Sequence, residues 1–212
     1  TPERTRNALV EAQLNLAGTL LAADRDLEEA EQLLVGGVEG LRHDPADVSR
    51  LMGALVRLGR LQLLFERVPE AEASHTEALG LARVIYGDAH LNLTNFLEGL
   101  AAVYSAQDRL VEALELRREV HDLHLAKLGP EHEQTKRVRL EFATALLEVG
   151  ELEQAHTLCE DVYLWAVGAL GAADGRIELA RTTLLRVLVA REELEGPGTF
   201  ADEIRQLQSG AD

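Results

Sequence analysis

Two histidines one turn apart, His121 and His124 in EVHDLHLAK, come nearer to a chemical site than anything else in the sequence. Imidazoles at i and i+3 share a helix face and can hold a zinc ion together. Asp122 stands between them, and His132 and Glu133 follow in the next loop, yet the local sequence fixes no third ligand. The plainer expectation is a pair of surface residues near a helix C-terminus, where histidine is favoured. Cys159, the only cysteine, falls on the packing side of its helical stretch and is expected to be a buried, inert thiol. Glu28-Glu29 and Glu192-Glu193 read as solvated helix faces. No glycine-rich phosphate loop, GxSxG or HExxH is present. No catalytic residue, metal or cofactor is expected.

The elements that carry these residues repeat. Glycine recurs at Gly87, Gly129 and Gly171, a step of 42 residues, each after an apolar-rich stretch. The same step links small residues at Ala17, Gly59, Ala101 and Ala143. A second series runs through Ala71, Ala113 and Ala155, with Ala30 one residue out of step. Fixed spacing of this kind is the mark of stacked copies of one unit. Each unit holds two helices: Leu93, Leu97, Leu100 and Tyr104 form one apolar stripe, and Leu110, Ala113, Leu116, Val120 and Leu123 the next. Small residues where antiparallel helices cross let the backbones approach. The spacing predicts helix pairs near 4–23 with 26–42, 46–66 with 69–86, 89–107 with 110–128, and 131–149 with 152–170. A less regular pair follows at 175–195 and 199–208. Pro45, Pro69 and Pro130 stand at helix starts, and Gly150 at a turn that favours a left-handed residue. Gly196-Pro197-Gly198 is the strongest break.

Composition agrees with an all-α chain. Of its 212 residues 46% are apolar and only 4% aromatic, and Leu, Ala and Glu dominate. Lys plus Arg is 21 against 37 for Asp plus Glu, a net charge of −16, so nucleic acid and anionic membrane surfaces are excluded as partners. No apolar run is long enough to span a bilayer and no signal peptide is visible, and a lone cysteine suits a cytoplasmic protein. Lys127 and Lys136 are the only lysines beside many arginines, which suits GC-rich coding and a bacterial source. Thr1 in place of a methionine suits a piece of something longer.

The string LAAVYSAQDRLVEALELRREV, preceded by YGDAHLNLTNFLEG, resembles the tetratricopeptide repeat in its 42-residue form, the form of kinesin light chains; LGPEHEQT is similar to the segment between such repeats. The resemblance covers roughly residues 5–195. HEAT repeats have a similar length, but their small-residue pattern differs. The resemblance implies an all-α right-handed helix-turn-helix solenoid: one array over residues 1–212, with repeats at about 4–42, 46–86, 89–128 and 131–170 and capping helices at 175–208.

The resemblance also implies a binding surface, because the first helix of each pair lines a groove in such arrays. Aligned on the small residues, the groove positions are Glu11, Asn15 and Leu21, then Arg57, Arg60 and Leu64, then Asn95, Glu98 and Ser105. The fourth unit adds Arg137, Glu141, Thr144 and Glu148, and the fifth Thr182, Thr183 and Arg186. Four arginines among them can hold carboxylates in bidentate pairs or pair internally with Glu98, Glu141 and Glu148. The family's peptide-holding asparagines are replaced by Arg57, Gly99 and Glu141, leaving only Asn15, and no lysine falls at a groove position. The expected function is a protein-interaction module that takes a partner protein or an extended, acidic peptide, within a larger regulatory or signalling protein. A self-associating scaffold and a peptide-sensing regulatory array are the alternatives.

Overall fold

Ten α-helices, joined by short turns that include the 3₁₀ turn Leu91–Leu93, make up the residues described by the computed structural model, which are 2–42, 47–170 and 174–209, with side chains from Asn7 on. They are α1 (Pro2–Ala22), α2 (Leu27–Leu41), α3 (Val48–Leu64), α4 (Val68–Tyr86), α5 (Thr94–Ala106), α6 (Leu110–Leu128), α7 (Glu133–Glu148), α8 (Leu152–Ala169), α9 (Gly175–Glu195) and α10 (Ala201–Ser209). The order and type match the sequence expectation; α5 starts later than expected, because Leu91–Leu93 forms the 3₁₀ turn ahead of it. Pro45 and Gly171 lie outside the described residues. Gly87 and Gly129, the other members of the glycine series, both have positive φ, 75° and 85°.

The chain divides between Arg109 and Leu110 into two compact units. In the first, α1 pairs with α2 and α3 with α4, α2 lies on α3, and α5 on α4. In the second, α6 lies on α7, α7 pairs with α8, α8 lies on α9, and α10 covers α9. The expected third pair thus has one helix in each unit. One core gathers Leu14, Leu34, Val38, Leu55 and Leu58; the other gathers Leu140, Leu146, Val162, Leu184 and Leu188. Each such side chain contributes roughly 1.5–3 kcal/mol of burial.

The small residues sit where the helices touch. Ala17, Ala30, Ala71, Ala113, Ala143 and Ala155 have no exposed surface, and Ala101 has 1%. Gly59 shows why size matters there. A Cβ on Gly59 of α3 would lie 2.6 Å from Cδ2 of His75, and one on Gly99 of α5 would lie 2.5 Å from Cε1 of the same ring. His75 of α4 therefore fills a slot between two bare backbones. That is the physical reason for glycine at position 99. Neither ring nitrogen of His75 has a hydrogen-bond partner. Burial first, and Arg60 second, push its pKa down to about 4, so the ring is neutral near pH 7.

The turn inside each helix pair carries a second regularity. Asp24, Glu66, Asp108 and Gly150, each 42 residues apart, all have positive φ, at 49°, 58°, 58° and 82°. Only the last is glycine, so the left-handed turn is set by the helix-to-helix connection rather than by its residue. A non-glycine residue there carries roughly 1–2 kcal/mol of backbone strain. Gly150→Ala is therefore expected to lower stability by about 1 kcal/mol, and Glu66→Gly to raise it by up to about 1 kcal/mol, by urea denaturation. His75 yields a pH prediction. Below about pH 6.5 the unfolded ring takes up a proton that the folded ring refuses until about pH 4, so stability falls as pH drops through that window and levels off below it. The loss is about 3 kcal/mol, and it should be absent from the stability–pH curve of His75→Met measured across the same range.

Candidate interaction surface

Arg57 and Arg60 stand one turn apart on α3, both exposed. They line a cavity of about 520 Å³ with Leu21 at the end of α1, Asp24 and Leu27 beyond it, and Leu61 and Leu64 on α3. The sequence alignment named Leu21, Arg57, Arg60 and Leu64, and the structure brings all four together. Neither arginine has an ion-pair partner among the described residues. Asn15 and Glu11 are exposed on α1, Asn95 is exposed on α5, and Glu98 and Ser105 are half-buried there; none of these lines that cavity.

The second unit holds a more apolar cavity of about 400 Å³ between α7, α8 and α9. Its wall is Leu140, Val162, Trp165, Ala166 and Leu179, and its rim carries Arg137, Glu141, Thr144 and Thr183 from the expected set. Of the internal pairs given as the alternative, that of Arg137 with Glu141 is present, within one helix rather than across two. Arg137 reaches Glu141 one turn along α7 at 2.7 Å, and Glu148 pairs with Arg117 of α6 at 3.4 Å. Both threonine hydroxyls donate to backbone carbonyls, Thr144 to Leu140 at 3.0 Å and Thr183 to Leu179 at 2.8 Å. Thr182 is exposed on α9 and also donates to the backbone. Arg186 is exposed on α9, does not line this cavity, and has no ion-pair partner among the described residues.

Lys136, Trp165, Leu179 and Arg176 line the same cavity and were missed. Lys136 reaches this cavity from a core position rather than from the surface. Its position is that of Thr94 and Met52 one and two repeats earlier, 7% and 2% exposed, so the repeat pattern predicts a core residue. The side chain is 2% exposed, and its ammonium reaches Asp161 of α8 at 3.0 Å and Glu131 at 3.5 Å. Arg139 donates to the same Asp161 oxygen. Desolvation pushes the Asp161 carboxyl up, but the hydrogen bonds from Lys136 and Arg139 outweigh it and hold it below the ordinary carboxylate range. The legible signal was a lysine at a core register position with an acid on the next helix. Arg176 is held by Asp174, which caps α9, and by Glu133. Its hydrogen bonds draw the Asp174 carboxyl down to about 2.

The histidine pair is also corrected. His121 and His124 are 8% and 5% exposed, facing the core rather than solvent. His121 stacks on Phe142 with ring centroids 5.3 Å apart, and its Nδ1 lies 3.1 Å from Asp122. His132 instead caps α7, accepting from the Gln134 N–H. Among the described residues no group of three His, Cys, Asp or Glu side chains converges as a metal ion requires. Cys159 is fully buried, and burial pushes its thiol up to about 12, as an inert core residue requires. No helix of the described residues is long and apolar enough to cross a membrane.

Residues 92–163 match the tetratricopeptide repeat family model. No curated protein matches the sequence. Among solved structures the chain is similar to the nearly identical TPR-like repeats of a putative kinesin light chain from Podosopora anserina, with a TM-score of 0.76 at 20% identity, covering 100% of this chain and 98% of that one. It is also similar to BtubC (BKLC) from P. vanneervenii, with a TM-score of 0.71 at 13% identity, covering 98% of this chain and 90% of that one. At these identities the likeness is one of fold.

The ion cluster on α7 and α8 separates two kinds of substitution. Asp161→Ala leaves the buried Lys136 ammonium with only the exposed Glu131, and is expected to destabilise by about 2–3 kcal/mol, the lower end for a carboxylate that is itself half-exposed. Lys136→Met, which removes the buried charge and keeps the volume, is expected to change stability by less than about 1 kcal/mol. Urea denaturation of the two variants at pH 7 checks the ordering.

Proposed function

Since the chain carries tetratricopeptide repeats in a helical-hairpin fold of the kinesin-light-chain kind, we propose that it is a non-enzymatic interaction module holding an extended, acidic segment of a partner protein. Repeats of this family generally mediate protein–protein interactions, and that coarser role is the premise. The observation carrying the finer reading is the pair Arg57 and Arg60. Two exposed guanidinium groups without an internal ion-pair partner are unusual on a chain of net charge −16, where carboxylates outnumber cations and most arginines find one. Arg42, Arg67 and Arg109 in the same unit are all paired, with Glu77, Glu31 and Glu72. A planar fork left open beside Leu21 and Leu64 suits a carboxylate flanked by an apolar side chain.

In the second unit the cavity under Trp165 supplies apolar contact, with Arg137 and Arg176 at its rim already tied to acids. Its proposed part is to take an apolar side chain of a bound segment, while Arg186 stands open on α9. A regulatory or signalling role inside a larger protein follows from the module reading and is part of the proposal.

A library of short acidic peptides titrated against the purified chain tests this. Arg57→Ala and Arg60→Ala are expected to weaken the peptides that bind by about tenfold or more each, corresponding to roughly 1.5–3 kcal/mol for a charge-assisted pair, while Arg42→Ala leaves affinity unchanged. Added salt should weaken binding to wild type more than to the variants. Equal affinity of wild type and both variants for every peptide overturns the reading.

A further inference from the structure

The cavity that holds Arg57 and Arg60 lies between two successive repeats, and both its walls belong to the chain. One wall is α1 with the turn that follows it, and the other is α3. The walls differ in charge. Arg57 and Arg60 stand on α3, and Asp24 stands on the turn, exposed and in no ion pair among the described residues. The rest of the lining is Leu21, Leu27, Leu61 and Leu64, with the small residues Gly18 and Ala22.

Asp24 is fixed where it stands. Its N–H donates to the Leu21 carbonyl at 3.2 Å, and the N–H of Arg25 donates to Leu20 at 3.1 Å, which closes α1 with Asp24 in the left-handed conformation. A helix C-terminus is the negative end of the helix dipole and favours a cation. Here it carries a carboxylate instead, and no basic residue lies in the last turn of α1 to offset it. Arg25 follows Asp24 but does not line the cavity. Two sources of negative potential therefore meet on one wall, and two guanidinium groups stand on the other. An occupant that is only acidic meets Asp24 as a like charge. An occupant with a cation near its carboxylate finds a partner on each wall, and an apolar residue between the charges covers the leucines.

We propose that Asp24 determines specificity in this cavity: the acidic segment that binds here carries a basic side chain, which lies on Asp24 and the α1 C-terminus while a carboxylate of the segment lies on Arg57 and Arg60. This rests on the reading of Arg57 and Arg60 given above and adds the sign of the second contact.

Two series of acetylated, amidated, fluorescein-labelled peptides test it by anisotropy titration into the purified chain. Both series carry a glutamate and a leucine in either order, and they differ only in having a lysine or a glutamine beside them. The lysine series is expected to bind about three to ten times tighter than the glutamine series. Asp24→Asn, which keeps a residue type that tolerates the left-handed turn, removes that advantage and leaves the glutamine series no weaker. Asp26→Asn removes the same charge two residues on, outside the cavity and from a side chain that caps nothing, and leaves the advantage in place. That control separates a local contact from the general pull of an acidic chain on a basic peptide. Gly18→Leu fills the cavity from α1, where an added Cβ meets nothing within 4 Å, and weakens both series. No lysine advantage, an advantage that Asp24→Asn leaves intact or Asp26→Asn removes equally, or binding that Gly18→Leu leaves unchanged overturns the inference. If Arg57→Ala still weakens both series in such a case, the peptide reading stands without it. If no peptide binds, or Arg57→Ala and Arg60→Ala weaken neither series, that reading falls and this inference falls with it.

Discussion

Backbone-to-backbone proximity at the helix contacts is the constraint on which the rest of this chain depends. An alanine or glycine at each contact lets the helices sit close enough for the leucines on either side to interdigitate, and the 42-residue recurrence makes each contact a copy of the last. Where the register substitutes glycine twice, at Gly59 and Gly99, the space freed is taken by one imidazole. His75 packs as an apolar plate, since neither of its nitrogens finds a partner. The chain accepts a desolvated, unsatisfied ring there because the shape complementarity of the slot offsets it.

Electrostatics follows from that packing rather than directing it. In a chain with a large acidic excess, an arginine within reach of the next helix finds a carboxylate, as Arg42, Arg109 and Arg117 do. Lys136 is the extreme: the register places it in a core position, and its ammonium is tolerable only because Asp161 and Glu131 reach it. Arg57, Arg60 and Arg186, on first helices of their pairs, have no such partner among the described residues, and neither has Arg25 in the turn between α1 and α2. On a net-acidic surface such cations are what the proposed acidic segment meets.

The two cavities divide the chemistry between them. The first is open, cationic and leucine-edged; the second is apolar, with its charges already neutralised. In the proposed module the first cavity offers charge and the second shape.

The sequence by itself determined the helices, their order and the small residues at their contacts, because helical period and repeat spacing are local properties that each residue type reports independently. It also placed Arg57, Arg60, Leu21 and Leu64 on one surface, since a fixed register transfers positions between repeats. Only the tertiary structure decided which arginines are open, because that depends on whether a carboxylate from another helix comes within a few ångströms. Only it placed His121 and His124 in the core, since a polar residue on a helix near a charged loop reads as exposed until a neighbour such as Phe142 covers it. The same holds for Lys136, whose burial is set by the core position it inherits and whose charge survives there through acids supplied from Glu131 and from α8.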